Sequence, residues 1–184
     1  LNTLPDPQQL ISPEINLLAW TAVGKVPNIS QIKKTKRINL EDIPLLNIPP
    51  WVGIDRALGA WAAFQQLNNS TNKLTGLLVA DAGTVLSLTK ITADGQFAGG
   101  QLVAGWRLQQ KAMSYWTQNL KDPGNIRLTS EIFPVKTKDA IQRGTLESLI
   151  GTIIEAKKAA NVPLYLCGGD AKVLFNELSK RNVE

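Results

Sequence analysis

The chain has 184 residues, with 20 Lys+Arg against 15 Asp+Glu for a formal net charge of +5, no His and a single Cys. At 43% hydrophobic and 19% charged residues it has a globular composition, which excludes a disordered chain, and its length suits one domain or one complete domain with part of another. Without His there is no imidazole base and no Ser-His-Asp triad; one Cys leaves no internal disulfide framework or Cys/His zinc site, and no apolar run reaches the roughly 18 residues that cross a bilayer.

Residues 1–50 carry prolines at 5, 7, 13, 27, 44, 49 and 50, which argues against long helices there. The apolar stretch Leu17 to Val23 reads as a buried strand. Lys33-Lys34-Thr35-Lys36-Arg37 is the one basic cluster. It reads as a solvated loop, because no interleaved aromatics accompany it, and no nucleic-acid partner is expected.

From Gly53 onward the patterning sharpens. Ile54, Ala57, Leu58, Trp61 and Phe64 recur at helical spacing, and the polar run Asn68 to Asn72 is expected to end that helix. Leu77 to Ala80 reads as a buried strand running into Asp81-Ala82-Gly83-Thr84. Val85 to Ile91 reads as the next strand, with Leu86, Leu88 and Lys90 on one face. Asp94-Gly95 signals a tight turn, followed by a short return strand, Gln96 to Ala98, that ends at Gly99-Gly100. Residues 106–118 read as an amphipathic helix and 121–125 as a loop. Residues 138–160 form a long helix with Ile141, Leu146, Leu149, Ile150, Ile153 and Ile154 on its apolar side. Pro163 to Cys167 is a short buried strand, with Cys167 a small buried apolar residue rather than a nucleophile. Gly168-Gly169 is a turn, and 170–180 a final helix. Strands alternating with helices, plus a hairpin, indicate an α/β domain.

Three glycine-bearing turns could aim backbone N–H groups at an anion. At Asp81-Ala82-Gly83-Thr84 a carboxylate ends a strand beside Gly and Thr, a combination suited to phosphate and hydrated Mg²⁺; the plainer reading is a capped turn. At Gly53-Ile54-Asp55-Arg56 the Asp could be a helix cap, or, in a cleft, a base with Arg56 as an anion anchor. At Cys167-Gly168-Gly169-Asp170 two glycines would admit a flat nucleobase or ribose.

The ordered series Gly53-Ile54-Asp55-Arg56, Leu77 to Thr84, Asp94-Gly95, Gly99-Gly100, Ala104-Gly105, Thr137, Ala140, Gly144 and Gly168-Gly169 resembles the type III pantothenate kinases. The resemblance runs from about residue 50 to 175. It implies an α/β, ribonuclease-H-like (actin-like ATPase) fold, with a mixed sheet flanked by helices and ATP held between two such domains. Residues 1–50 would then be the remainder of an N-terminal domain and linker, and 51–184 the C-terminal domain. It also implies ATP-dependent phosphorylation of pantothenate at its primary hydroxyl, the first step of coenzyme A synthesis, with Mg²⁺, a monovalent cation (K⁺ or NH₄⁺) and a homodimer.

Carried over by position, Asp55 would be the general base. Gly53, Asp55, Arg56 and Thr137 would bind pantothenate, with Gly99 and Gly100 shaping that side. Asp81, Gly83, Thr84, Gly168 and Gly169 would bind the nucleotide, and Asp81 the metal. The family's first phosphate turn, Asp-X-Gly-Asn-Thr, is missing from residues 1–50, and the chain begins at Leu1; a preceding segment is expected. A cytoplasmic location is expected, since no signal pattern opens the chain. The alternative is a catalytically weakened nucleotide-binding regulatory protein on the same scaffold. A sugar or small-acid kinase of the same superfamily ranks lower. A ribonuclease-H-like nuclease ranks lowest, because it needs more clustered carboxylates than Asp55 and Asp81.

Overall fold

The computed structural model describes residues 17–24, 26, 35–70, 75–124 and 128–183. Its centre is a four-stranded mixed sheet built from β3 (Leu77–Ala82), β4 (Val85–Ile91), β5 (Phe97–Ala104) and β6 (Leu164–Cys167), in the order β5-β4-β3-β6. β3 runs antiparallel to β4 and parallel to β6, and β4 antiparallel to β5. The helices are α1 (Ile54–Ser70), α2 (Trp106–Trp116), α3 (Thr137–Ala160) and α4 (Ala171–Ser179). The expected α/β class and mixed sheet flanked by helices are thus present.

Side chains alternate across the strands and give the sheet two different faces. Leu78, Ala80 and Ala82 of β3, with Leu86 and Leu88 of β4, pack with Trp106, Leu146, Leu149, Ile150, Ile153, Leu174 and Leu178 into one core. This face is closed by α2, α3 and α4. The intervening residues Leu77, Val79 and Ile91 pack on the other face against Ala57, Ala60, Ala63, Phe64 and Leu67 of α1. The alanines keep α1 close to the sheet. Ile43 and Leu45 are buried in the same cluster, and Leu46 bridges Gln96 in parallel, so the segment just before residue 50 is stitched to the hairpin.

Several local expectations are corrected. Ala19–Trp20 (β1) and Lys36–Arg37 (β2) form a two-residue parallel ribbon, and Leu18 is 81% exposed; the stretch 17–23 is not a buried strand, because none of the described layers covers it. Lys36 and Arg37 are therefore strand residues, with the Arg37 guanidinium 5.3 Å over the Trp20 ring, while Lys33 and Lys34 lie outside the described residues. α1 continues through Asn68 and Asn69 to Ser70; Thr71 and Asn72 of that polar run lie outside the described residues. β5 does not stop at Gly99-Gly100 but runs on to Ala104, since its pairing with β4 resumes beyond an irregularity between Thr89 and Ile91. Cys167 is exposed, because β6 is the outer strand and its carboxyl end lies open.

The β5 irregularity has a defined geometry. Thr89 faces Gly100 and Ile91 faces Phe97, so Ala98 and Gly99 together oppose Lys90, a β-bulge. Gly99 has φ +86°, a conformation that glycine adopts without strain. The bulge changes the parity of β5, so that Phe97, Gly100 and Leu102 all share the α1 face.

Candidate active site

On the α1 face the strands turn from apolar to polar towards the carboxyl end of β3. Leu77 and Val79 are buried, and Asp81, next in the alternation, opens into a cavity. Across the ladder Asp81 pairs with Ser87, and the first turn of α1 supplies Asp55 and Arg56 from the opposite wall. The cavity has a volume of about 710 Å³, and Gly53, Asp55, Arg56, Asp81, Gly83, Thr84, Gly99 and Gly100 all line it. The two acidic side chains singled out in the sequence therefore share one crevice.

Their electrostatics agree with that geometry. Burial raises the Asp81 carboxyl above the usual carboxylate range, and the neighbouring charge of Asp55 raises it further. The Asp55 carboxylate accepts the backbone N–H of Arg56 at 2.8 Å, and a side-chain carbon at residue 53 would stand 2.6 Å from that same carboxylate oxygen. Gly53 thus leaves the room in which the Asp55 side chain folds back on the helix start.

Arg56 is held tightly. Its Nε donates to Thr89 Oγ1 at 2.6 Å and its Nη2 to the Leu88 carbonyl at 2.8 Å. Its guanidinium lies 5.4 Å over the Phe97 ring, a cation–π distance. Burial makes Arg56 a weaker base than usual, and the Asp55 charge opposes that shift. Gly100 is obligatory beside it, since a Cβ there would overlap the Leu88 carbonyl and Arg56 Nη2.

The turn after β6 packs against the carboxyl end of β3. A Cβ at Gly168 would stand 2.5 Å from both Asp81 Oδ1 and the Ala82 carbonyl, and the Asp170 N–H donates to that carbonyl at 2.9 Å. Burial raises the Asp170 carboxyl. Burial and then the Asp81 charge raise the Cys167 thiol, which keeps it protonated and a poor nucleophile. Gly168 touches Asp81 without lining the cavity. Gly169 faces open space, and Thr137 lies exposed at the start of α3; neither lines the cavity.

Motif reading missed Trp51, Val52, Val85, Ser87, Phe97 and Leu102, which complete the lining, and Thr89 behind Arg56. The signal for Ser87 and Thr89 was present: with Leu86 and Leu88 on one face, these two must lie on the other. Phe97 and Leu102 depend on the bulge, which no residue pattern announced.

A single cavity sets two carboxylates, a half-buried guanidinium and a glycine-threonine turn at the end of a central strand of an α/β fold. Comparison with known proteins narrows the class. The family model for type III pantothenate kinase matches residues 31–158. A type III pantothenate kinase of Synechococcus sp. (strain JA-3-3Ab) is 31% identical over 98% of this chain and 74% of its own length. That of Synechococcus elongatus is 30% identical over 78% of this chain and 58% of its own. Among solved structures, one described as a Baf family transcriptional activator from Campylobacter jejuni superposes with a TM-score of 0.55 at 26% identity, over 77% of this chain and 62% of that one. The chain belongs to the type III pantothenate kinase family.

Proposed function

We propose that this chain works in the ATP-dependent phosphorylation of pantothenate to 4'-phosphopantothenate, the first step of coenzyme A biosynthesis. The observation that carries this reading is the placement of Asp55 and Asp81 on opposite walls of one cavity, in a member of this family. Phosphoryl transfer asks mainly for positioning and charge neutralisation, with help from a base. A carboxylate suffices for that base, so the lack of His is no obstacle.

In this reading Asp55 accepts the proton of the pantothenate primary hydroxyl as its oxygen attacks the γ-phosphorus of ATP, and ADP leaves. The helix-start position of Asp55 and its bond from the Arg56 N–H hold the carboxylate in place. Arg56 anchors the pantothenate carboxylate, with Gly53 beside it, and Thr137, outside this cavity, would meet pantothenate from the second copy of a homodimer. Gly83 and Thr84 cradle phosphate, and Gly168 with Gly169 lies on the adenosine side. Asp81 fits Mg²⁺: burial and Asp55 both disfavour its charge, which a divalent cation would offset. No group of three metal-ligating side chains occurs among the described residues, and Mg²⁺ bound by one or two carboxylates, substrate phosphates and water needs none. When bound, Mg²⁺ would neutralise charge on the phosphates.

The wider reading includes a monovalent cation, a homodimer, a cytoplasmic location, the ribonuclease-H-like fold, and a division into an N-terminal remainder over 1–50 and a domain over 51–184. No helix among the described residues is long and apolar enough to cross a membrane. The test is coupled ADP release with and without pantothenate in the presence of Mg²⁺ and K⁺. Pantothenate-dependent ADP is expected. ATP binding without turnover would favour the weakened regulatory protein instead.

A further inference from the structure

Arg56 lines the cavity, yet its direction is decided outside it. The side-on edge of its guanidinium, Nε with Nη2, is already occupied by Thr89 Oγ1 and the Leu88 carbonyl. The Phe97 ring covers one planar face, and Gly100 directly opposite Thr89 leaves space that any side chain would fill. What remains for a ligand is the end-on edge, Nη1 with the second hydrogen of Nη2. Of the groups that fix this orientation, the Leu88 carbonyl is backbone and cannot be removed by changing a side chain. Thr89, only 2% exposed, is among the described residues the one side chain whose hydroxyl accepts from Arg56.

We propose that Thr89 is a positioning residue that turns the end-on edge of Arg56 towards the carboxylate of the acceptor substrate, and so sets the preference for an anionic over a neutral acceptor. Thr89 touches no ligand. It removes the freedom of the guanidinium to rotate about its last torsion, so that the two N–H groups meeting the carboxylate are aligned beforehand. A planar, delocalised cation makes such alignment count, because a forked pair of hydrogen bonds needs both donors in register. This inference rests on the reading of Arg56 as the carboxylate anchor.

The experiment is calorimetric binding of pantothenate and of pantothenol, the alcohol that replaces its carboxylate, to the wild type and to the Thr89→Val, Thr89→Ser, Arg56→Lys and Arg56→Lys/Thr89→Val variants. Thr89→Val should weaken pantothenate about tenfold, the loss of one hydrogen bond to a charged group, while leaving pantothenol and nucleotide affinity as in the wild type. Thr89→Ser, which keeps the acceptor, should restore pantothenate binding. The double variant should bind no worse than Arg56→Lys, since a lysine offers no fork to align.

If Arg56→Lys leaves the preference for pantothenate over pantothenol untouched, the anchor reading fails and this inference falls with it. If Arg56→Lys abolishes the preference but Thr89→Val does not change it, the anchor stands and the positioning role is overturned. A Thr89→Val protein that loses both ligands alike, or that is unfolded together with Thr89→Ser, marks Thr89 as a packing residue and overturns the proposal too.

Discussion

The two faces of the central sheet differ in what their polar groups are for. The face covered by α2, α3 and α4 is dry where Leu78, Ala80, Ala82, Leu86 and Leu88 meet the helices, and beyond that apolar layer charges of α3 and α4 pair with one another. Arg143 pairs with Glu177 at 3.2 Å and with Glu147 at 2.8 Å, and Arg181 pairs with the same two carboxylates at 3.3 and 2.7 Å. Lys180 adds a bond to Glu177 at 2.5 Å. On the α1 face the apolar layer stops at Val79, and Asp81 faces a cavity where burial, and then the Asp55 charge on the same lining, disfavour its ionised form. Charges paired within the protein serve stability; charges set against each other beside open volume store an unfavourable interaction that a ligand can relieve.

That contrast can be broken from either side. The largest effect is expected on the dry face. Glu177→Gln removes one of the two carboxylates that pair with the buried Arg143 and leaves only Glu147, and unfolding in urea should show a loss of about 3 kcal/mol with ATP affinity unchanged. The Lys180 hydrogen bond, opposed by burial and aided by Arg181 and Arg143, holds the Glu177 carboxyl below its usual range. Its stabilisation is therefore present above the unfolded-state carboxyl value and lost as pH falls through the lower folded value. The variant's acid unfolding curve should lack that component.

On the open face the expected losses are in chemistry. Asp55→Asn should cut pantothenate-dependent turnover by roughly 10²-fold or more while sparing ATP binding and melting temperature. A variant that turns over normally would remove the base from the account.

The smallest effect has the opposite sign in stability. Because the folded Asp81 carboxyl is raised, its cost is absent below the ordinary carboxylate value and fully present above the raised one. At neutral pH, Asp81→Asn should lift the melting temperature by about 2 °C while weakening Mg²⁺-dependent ATP binding. The gain should vanish on acidification.

How much of this was legible in the sequence differs between the faces in the same way. The dry face could be read from periodicity. Val85 to Ile91 is a strand with the bounds its alternation suggests, and Ile141, Leu146, Leu149, Ile150 and Ile153 line α3 as spaced. On the open face, the residues named by motif, Asp55, Arg56, Asp81, Gly83 and Thr84, do meet in one cavity. Phe97, Gly100 and Leu102 could not be placed together, because a one-residue bulge reverses which side chains face the site. Glycines 99 and 100 read as a strand end when they are a bulge and a close approach within one continuous strand. Cys167 read as buried because local apolarity says nothing about which strand ends up at the edge of a sheet. Thr89 was hidden for a related reason: its role is set by a partner 33 residues away in sequence, and no local pattern reports that.

The most direct test of the shared crevice is to follow the side-chain carboxyl carbon of Asp81 by NMR through a pH titration, in the wild type and in Asp55→Asn. In the wild type Asp81 should titrate above the usual carboxylate range. In the variant its midpoint should fall part of the way back and stay raised, because burial is the larger cause and the Asp55 charge the smaller. An Asp81 midpoint that does not move when the Asp55 charge is removed would contradict the account, since two carboxylates on the walls of one cavity must sense each other.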